Sequence, residues 1–573
     1  MEDLLTRPAP RPPGPAAAPG PEPPGSPRRS RPGGPSGLNK QWAALSGRVQ
    51  AGSERLATWR HFDAALLAFL ALLSLGLRWR GLWTSYWGDE AIAIGIASHS
   101  LGSLPHYLVN DGAPPLYYVM LHYWLQLFGR SGPATHALSM IAALLAVPAA
   151  WWSGDKLFGR RAARGAAALV ATCAYLDYYS SETRMYAWLV LAAILAVTCF
   201  VLAYQGAGRR YWVAATALMV AVLYFQYYGL YLFAATVIAG SAAAVGKRSW
   251  PHLKMTAHYA LACGAAFAPW APQFLYQLQH TGAPWAPHPS VLDFFADSFN
   301  ALASAAWAAI VVAIAVCVIA RPRPATRASR RYRLVTSPIA LAAAVPLITV
   351  LLAWTVGQFV NSWSPRYLGI AVVPALIPLA GGLSRARWGA LALWGAVIGL
   401  ACTAVPMVVD RGVTVETSKS DVAYLFSQLR PRLRPGALVI SSEVTDTPVL
   451  AVDLGNRFRY ATPFGMLSDP MVVNWSDIGA RLRHADAATT LGHLLRALPI
   501  GAQVLLVNPS TSWGGGETPE TYAGPVEAEA IAANAVVLED PDLQEEVTEG
   551  VPQYSNPLYP VSAILFVKIK PAK

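Results

Sequence analysis

Charge is scarce in this chain. Only 13% of its 573 residues are Asp, Glu, Lys or Arg, about half the share found in soluble globular proteins. A soluble fold over the whole length is therefore excluded, and no nucleic-acid partner is expected. Cysteine is scarcer still. The five residues, Cys173, Cys199, Cys263, Cys317 and Cys402, all fall in apolar runs and none has metal-ligand spacing, so neither a disulfide framework nor a cysteine-held metal is expected. The chain has no GxxxxGK[ST] phosphate loop and no HExxH motif. The acidic run "EDPDL" at Asp540–Asp542 superficially resembles a metal motif but lies among unrelated acids.

What is abundant is apolar sequence. Hydrophobic residues make up 54% of the chain, and runs near membrane-spanning length recur from Asp63 to Val409. Spans are expected at 63–80, 134–152, 164–181, 185–204, 211–228, 229–246, 255–272, 298–320, 335–356, 366–383 and 388–409, about eleven in all. The run Pro114–Phe128 is apolar enough to be another. Leaving it out places "SGDKLFGRRAAR", "QGAGRR", "GKRSWPHLK", "RPRPATRASRRYR" and "SRAR" on one side, with about seventeen Lys/Arg against about five opposite. The positive-inside rule makes that side cytoplasmic. Asp63 and Asp155 then lie inside. Asp89, Glu90, Asp111, Asp177, Glu182, Asp293, Asp297 and Asp410 gather outside.

Three regions follow. Residues 1–60, rich in Pro, Gly, Ala and Arg, read as a disordered cytoplasmic tail. Residues 61–412 form the membrane domain. Residues 413–573 hold 12 Lys/Arg against 18 Asp/Glu, whereas the remainder is basic. There "ALVISS", "AQVLLVN" and "SAILFVKIK" read as strands between helical patterns. The expectation is a small α/β domain outside the membrane.

Candidate chemistry lies on that outer face. Asp89 and Glu90 follow an apolar run and are flanked by Trp83, Tyr86 and Trp87. A partly desolvated carboxylate there suits a general base, and acids also simply favour the first turn of a helix. The alternation of Ile92, Ile94 and Ile96 leaves helix and strand both open. In "NDGAPPLYYVMLHYWLQLFG", Asp111-Gly112 marks a turn and Pro114-Pro115 opens a helix that lies on the outer leaflet without crossing. It carries Tyr117, and His122 shares a face with Gln126. "YLDYYSSETRMYAW" supplies Asp177, Glu182, Arg184 and Tyr186, and "SPRYL" supplies Arg366. Outer arginines are few. Arg184 and Arg366 could hold a phosphate, or serve as an interfacial anchor and a snorkelling side chain.

The motifs "YWGDEAIAIGIAS", "DGAPPLYYVMLHYWLQLFG", "KLFGRRAARGAAALVA", "YYSSETRMYAW" and "SPRYL" occur in one order between about residues 60 and 385. In this the chain resembles the family 39-like branch of the GT-C superfamily of glycosyltransferases, which includes protein O-mannosyltransferases and aminoarabinose transferases. The resemblance implies a polytopic helical membrane fold. The arginine- and alanine-rich composition points to a bacterial cytoplasmic membrane, and the loop charges with an odd number of spans put the N-terminus inside and the C-terminal domain outside. The resemblance also implies a polyprenyl-phosphate-sugar donor and a glycan, lipid or protein acceptor. Asp89 falls at the position of the family's catalytic base, with Glu90 beside it. Arg184 and Arg366 are left for the donor phosphate, and Asp111, Tyr117, His122, Glu182 and Tyr186 for substrate. Many relatives carry His before the paired prolines, where this chain has Ala113. No cofactor is required, although a divalent cation near the phosphate is compatible. A transporter or flippase of lipid-linked sugars is the alternative. It would place ionisable groups near the membrane midplane.

Overall fold

The computed structural model of the protein describes residues 61–303, 306–319, 337–414, 419–509, 520–549 and 561–571. The Pro/Arg-rich tail and the basic loop 321–333 lie outside the described residues.

Most of what is described is helical. Five helices are long and apolar enough to cross a membrane: Phe62–Trp83, Gly132–Phe158, Tyr186–Tyr204, Gly229–Gly246 and Pro338–Gly357. Two bent pairs, Val291–Ala303 with Trp307–Ile319 and Pro365–Val372 with Leu376–Leu383, raise the number to as many as seven. The chain is thus a multi-pass membrane protein, and among the described residues length and composition support five to seven of the expected eleven spans. The difference has local causes. The stretch 164–181 is two helices, Arg160–Ala171 and Ala174–Tyr179, broken at Thr172-Cys173. Arg209–Phe225 opens on two arginines and has 17 residues.

Tyr186–Tyr204 is apolar all round, so it sits at the centre, with 89% of its most apolar stretch buried. Such a helix has no solvent face. Gly132–Phe158 packs against it and against Arg160–Ala171. A Cβ on Gly154 would lie 2.8 Å from the Ala163 Cα, so only glycine permits that crossing. The break at Thr172-Cys173 is held by Arg78, whose guanidinium donates to the carbonyls of Ala171 at 2.8 Å and Cys173 at 3.3 Å. Arg78 also pairs with Asp177 at 3.0 Å, both side chains being buried. This arginine satisfies carbonyls that the helix end leaves open.

Gly132–Phe158 joins two charged ends. Near one, Asp63 takes Arg164 at 2.9 Å and Asp155 takes Arg160 at 3.2 Å. Near the other is His136. Roughly 28 Å of helix separates His136 from Asp155, about the thickness of a bilayer core.

Three short helices flank the His136 end: Gly88–Ala97, Leu104–Asp111 and Leu116–Phe128. The last has 13 residues, about 20 Å of rise, too short to cross. Gly88–Ala97 is a helix despite its alternating isoleucines. Every residue from Glu90 to Ala97 is buried, so apolar side chains suit all its faces.

The C-terminal region forms a six-stranded sheet in the order β3-β2-β1-β4-β6-β5. The strands are β1 Leu438–Ser441, β2 Arg459–Thr462, β3 Gly465–Met466, β4 Gln503–Pro509, β5 Leu543–Glu549 and β6 Val561–Lys568. β1 runs parallel to β2 and β4, and β6 runs antiparallel to β4 and β5. The segment "SAILFVKIK" is therefore the last strand but lies inside the sheet. Asp542, from the run "EDPDL", pairs with Lys568 at 3.4 Å.

This domain is seated on the short helices. The Ser85 hydroxyl accepts from the backbone N–H groups of Lys419 and Ser420 at 3.1 and 3.0 Å. The Trp475 N–H donates to the Asn110 carbonyl at 2.9 Å, and His99 meets Asp469 at 2.8 Å. A Cβ on Gly95 would fall 1.9 Å from the Met471 carbonyl oxygen. The two layers touch backbone to backbone there.

Candidate functional site

The site starts from one turn of helix. Trp87 is extended, and Gly88–Ala97 begins immediately after it, so Asp89 and Glu90 stand in the first turn. Successive helical side chains diverge by about 100°, and these two face different surroundings.

Asp89, 23% exposed, faces a cavity. Arg366 Nη1 donates to its Oδ2 at 2.7 Å, and Arg184 Nη2 stands 3.8 Å from the same oxygen. Arg184 Nη1 also donates to the Asp89 carbonyl at 3.3 Å. Behind it, the Tyr118 hydroxyl donates to Asp111 Oδ2 at 2.7 Å and lies 3.5 Å from Arg184. Burial pushes the Asp111 carboxyl above its ordinary value, with Arg184 and Tyr118 tempering the rise. Arg366 is fixed by its Nε–H bond to the Ser364 hydroxyl at 3.2 Å and by the Trp285 ring 4.3 Å beneath it.

Glu90 is wholly buried and its oxygens are occupied. Oε1 takes His136 Nε2 at 2.8 Å and the Thr183 N–H at 2.7 Å, and Oε2 takes Lys419 Nζ at 2.8 Å. Burial alone would raise this carboxyl. The Lys419 ammonium and the His136 imidazole outweigh burial and hold the acid well below the usual carboxylate range.

Glu182 is the opposite case. It is buried, and neither carboxyl oxygen has a hydrogen-bond partner among the described residues. Burial, with the Glu90 charge beside it, pushes its carboxyl up to about 8. The buried Tyr186 ring packs 6.2 Å from that of Tyr367 and under Arg184 at 5.9 Å. Tyr117 is buried with its ring 6.1 Å from that of Tyr118. His122 is engaged elsewhere, its Nδ1 on the Ala97 carbonyl and its Nε2 on Gln126, both at 2.8 Å.

Asp89, Arg184 and Arg366 thus converge, with Asp111 joined through Tyr118. Glu90 faces away into a buried network. Sequence reasoning does not single out Lys419 or Tyr118. Tyr118 adjoins Tyr117 in a run of interfacial residue types. Lys419 offers only its position as the first lysine after the last apolar run.

The cavity at Asp89 has a volume of about 590 Å³ and lies between the membrane helices and the C-terminal domain. Trp87, Trp285 and Trp363 line it from one side, and Thr445, Asp446 and Trp475 from the other. Among the described residues, no group of three or more His, Cys, Asp or Glu side chains is placed to hold a metal ion. The Arg366 guanidinium lines the cavity, and that of Arg184 stands 3.8 Å from the Asp89 carboxylate at its wall.

Residues 112–275 match the family model described as dolichyl-phosphate-mannose-protein mannosyltransferase. That segment contains Glu182 and Arg184 but neither Asp89 nor Arg366. No curated protein matches the chain in sequence. In three dimensions the chain is similar to ArnT from Cupriavidus metallidurans, at 14% identity and a TM-score of 0.57, over 89% of this chain and 98% of that one. It is similar to ArnT from the same organism bound to undecaprenyl phosphate, at 16% identity and a TM-score of 0.54, over 88% and 98% of the two chains. The archaeal oligosaccharyltransferase AglB from Archaeoglobus fulgidus, in complex with an inhibitory peptide and a dolichol-phosphate, matches at 11% identity and a TM-score of 0.51, over 87% and 80%. At these identities the structural likeness establishes a shared fold.

Proposed function

We propose that the chain is a membrane glycosyltransferase of the GT-C superfamily, and that it moves a sugar from a polyprenyl-phosphate-linked donor to a hydroxyl of a cell-envelope acceptor on the non-cytoplasmic side. One observation carries this reading. The side chains of Arg184 and Arg366, scarce outer cations in the sequence, meet a single carboxylate oxygen at the wall of a cavity roofed by a soluble domain.

The chemistry follows from the charges. A polyprenyl chain can lie against the apolar helices while its phosphate sits at their ends, within reach of the two guanidiniums. Each guanidinium is a rigid fork of donors and can bridge Asp89 and a phosphate oxygen together. The acceptor hydroxyl attacks the anomeric carbon from the face opposite the phosphate. The new C–O bond forms as the bond to the phosphate oxygen breaks. The hydroxyl proton passes to Asp89, and polyprenyl phosphate departs with its charge balanced by Arg184 and Arg366. A single displacement of this kind inverts the anomeric centre, as in one-step glycoside hydrolysis. Mannose and arabinose are the sugars in view. The transport alternative calls for ionisable groups at mid-membrane, whereas these converge beneath a soluble domain.

The test is a transfer assay on the purified chain with radiolabelled polyprenyl-phosphate sugars. We expect transfer from one of them, with Asp89→Asn reducing turnover at least ~100-fold, the usual worth of a general base, while donor still binds. Near-normal transfer by Asp89→Asn would remove Asp89 as the base.

A further inference from the structure

Asp446 belongs to the C-terminal domain and lines the same cavity as Asp89. It stands at the N-terminal end of the helix Thr447–Leu454, where an aspartate ordinarily caps the free N–H groups. It makes no capping bond. It is only 7% exposed, and it forms no hydrogen bond or ion pair with any described residue. A buried polar group without a partner is costly, and this one borders a space where a ligand could supply the missing bond. Burial and the neighbouring Glu443 and Asp421 carboxylates push the Asp446 carboxyl well above its ordinary range. The shift favours the protonated carboxyl, which can both donate to and accept from a hydroxyl.

The surroundings are aromatic. Trp475 is fixed by its backbone bond to Asn110 and by the Ser476 hydroxyl on Asn110 Oδ1 at 3.1 Å. Trp285 lies under Arg366, and Trp363 donates to Asp297 at 2.7 Å. A saccharide presents hydroxyls at its rim and apolar C–H faces above and below its ring. Indole faces with a few convergent polar groups match that chemistry. A peptide acceptor would draw on free backbone groups of an edge strand, and the outer strands β3 and β5 contribute nothing to this cavity. Gly88 admits the domain to the site, since a Cβ there would stand 3.2 Å from the Thr445 carbonyl oxygen.

We propose that this cavity is an acceptor subsite for a glycan, in which Asp446 hydrogen-bonds a sugar hydroxyl, Trp475 and Trp285 pack on ring faces, and the hydroxyl to be glycosylated is presented to Asp89. The assignment rests on the reading of Asp89 as base, and it adds that the acceptor is a carbohydrate held by the soluble domain.

Binding to the full-length protein in nanodiscs tests it. The probes are mannotriose, arabinotriose, a Ser/Thr-rich nonapeptide, undecaprenyl phosphate and undecaprenyl-phosphate-mannose, read by tryptophan fluorescence and calorimetry. One of the trisaccharides is expected to bind and the peptide not. Asp446→Ala, Asp446→Asn and Trp475→Ala should each weaken the trisaccharide at least tenfold and leave undecaprenyl phosphate unchanged, which also shows that the variants are folded. Peptide binding in place of saccharide, no saccharide binding, or variants that bind it normally would each overturn the subsite. Loss of affinity for undecaprenyl-phosphate-mannose alone would assign the cavity to the donor sugar and likewise overturn it. Failure of undecaprenyl phosphate to bind the wild-type chain, with saccharide binding intact, would count against the donor reading and leave the subsite standing.

Discussion

Asp89 and Glu90 show how adjacent residues of one chemical type come to differ. Asp89 keeps a face toward the cavity, whereas Glu90 commits its oxygens to three donors inside the protein. Only the first is free to exchange partners with a substrate. Arg366 is tied by the same logic, with a fork pointing at Asp89 and an aromatic face beneath. Arg366→Lys keeps the charge and loses the fork, so it should still weaken polyprenyl-phosphate binding about 10–100-fold, the worth of one or two charge-assisted hydrogen bonds. Wild-type affinity in that variant, measured by calorimetry, would mean the guanidinium does not touch the phosphate. Glu182 carries a pH signature. Its folded value of about 8 lies above the ordinary 4.5. The folded state therefore holds a proton that the unfolded chain releases between those values. The stabilisation is complete at low pH and is lost as pH rises through about 8. Glu182→Gln removes that dependence. Its melting temperature should gain on wild type from about pH 5 upward and level off above about pH 9. A gap that stays constant across this range would show that Glu182 is not held neutral.

The helix Gly88–Ala97 is the element that carries Asp89, and it is clamped through Glu90. His136 comes from a membrane helix, Thr183 from the turn before the central helix, and Lys419 from the approach to the C-terminal domain. Removing one partner of a buried charge pair costs about 3–5 kcal/mol because the other charge is stranded. Glu90→Gln and Lys419→Met should each lower the thermal midpoint, and the double variant should lose less than the two losses together. Strict additivity in that cycle would show that the two side chains do not act as a pair. This clamp also marks where sequence reading stops. Asp89, Arg184 and Arg366 are legible because outer charges are few, and the apolar runs around them give their sidedness. Lys419 lies 329 positions from Glu90, and no periodicity reports such a pairing. Asp446 reads in sequence like any helix-capping aspartate, and only its missing bond sets it apart. The alternating isoleucines do not distinguish strand from helix, because pattern reports burial on one face and this helix is covered on all of them.

At the scale of the whole molecule, the charges sort into two ends of one bundle. Asp63, Asp155, Arg160 and Arg164 pair at one end, and Asp89, Arg184 and Arg366 at the other, with Gly132–Phe158 running between. Nucleotide sugars are cytoplasmic, so a transferase working outside needs a donor carried by lipid. The mechanism therefore depends on the second end facing away from the cytoplasm. The basic loops predict the sign, since arginine-rich connections tend to be retained inside. Single cysteines in a cysteine-free background test this with a membrane-impermeant maleimide on intact cells. Ser290→Cys, beside the cavity-lining Pro287 and His288, and Ser427→Cys, in the soluble domain, should both label from outside. Ala207→Cys, in the exposed turn between Tyr186–Tyr204 and Arg209–Phe225, should label only after the membrane is opened. Labelling of Ala207→Cys in intact cells with protection of the other two would place Asp89 in the cytoplasm, where a soluble sugar nucleotide could serve as donor and the two arginines would have no lipid phosphate to explain them. Labelling of Ser290→Cys without Ser427→Cys would put cavity and soluble domain on opposite sides, against the Lys419–Glu90 bond that joins them.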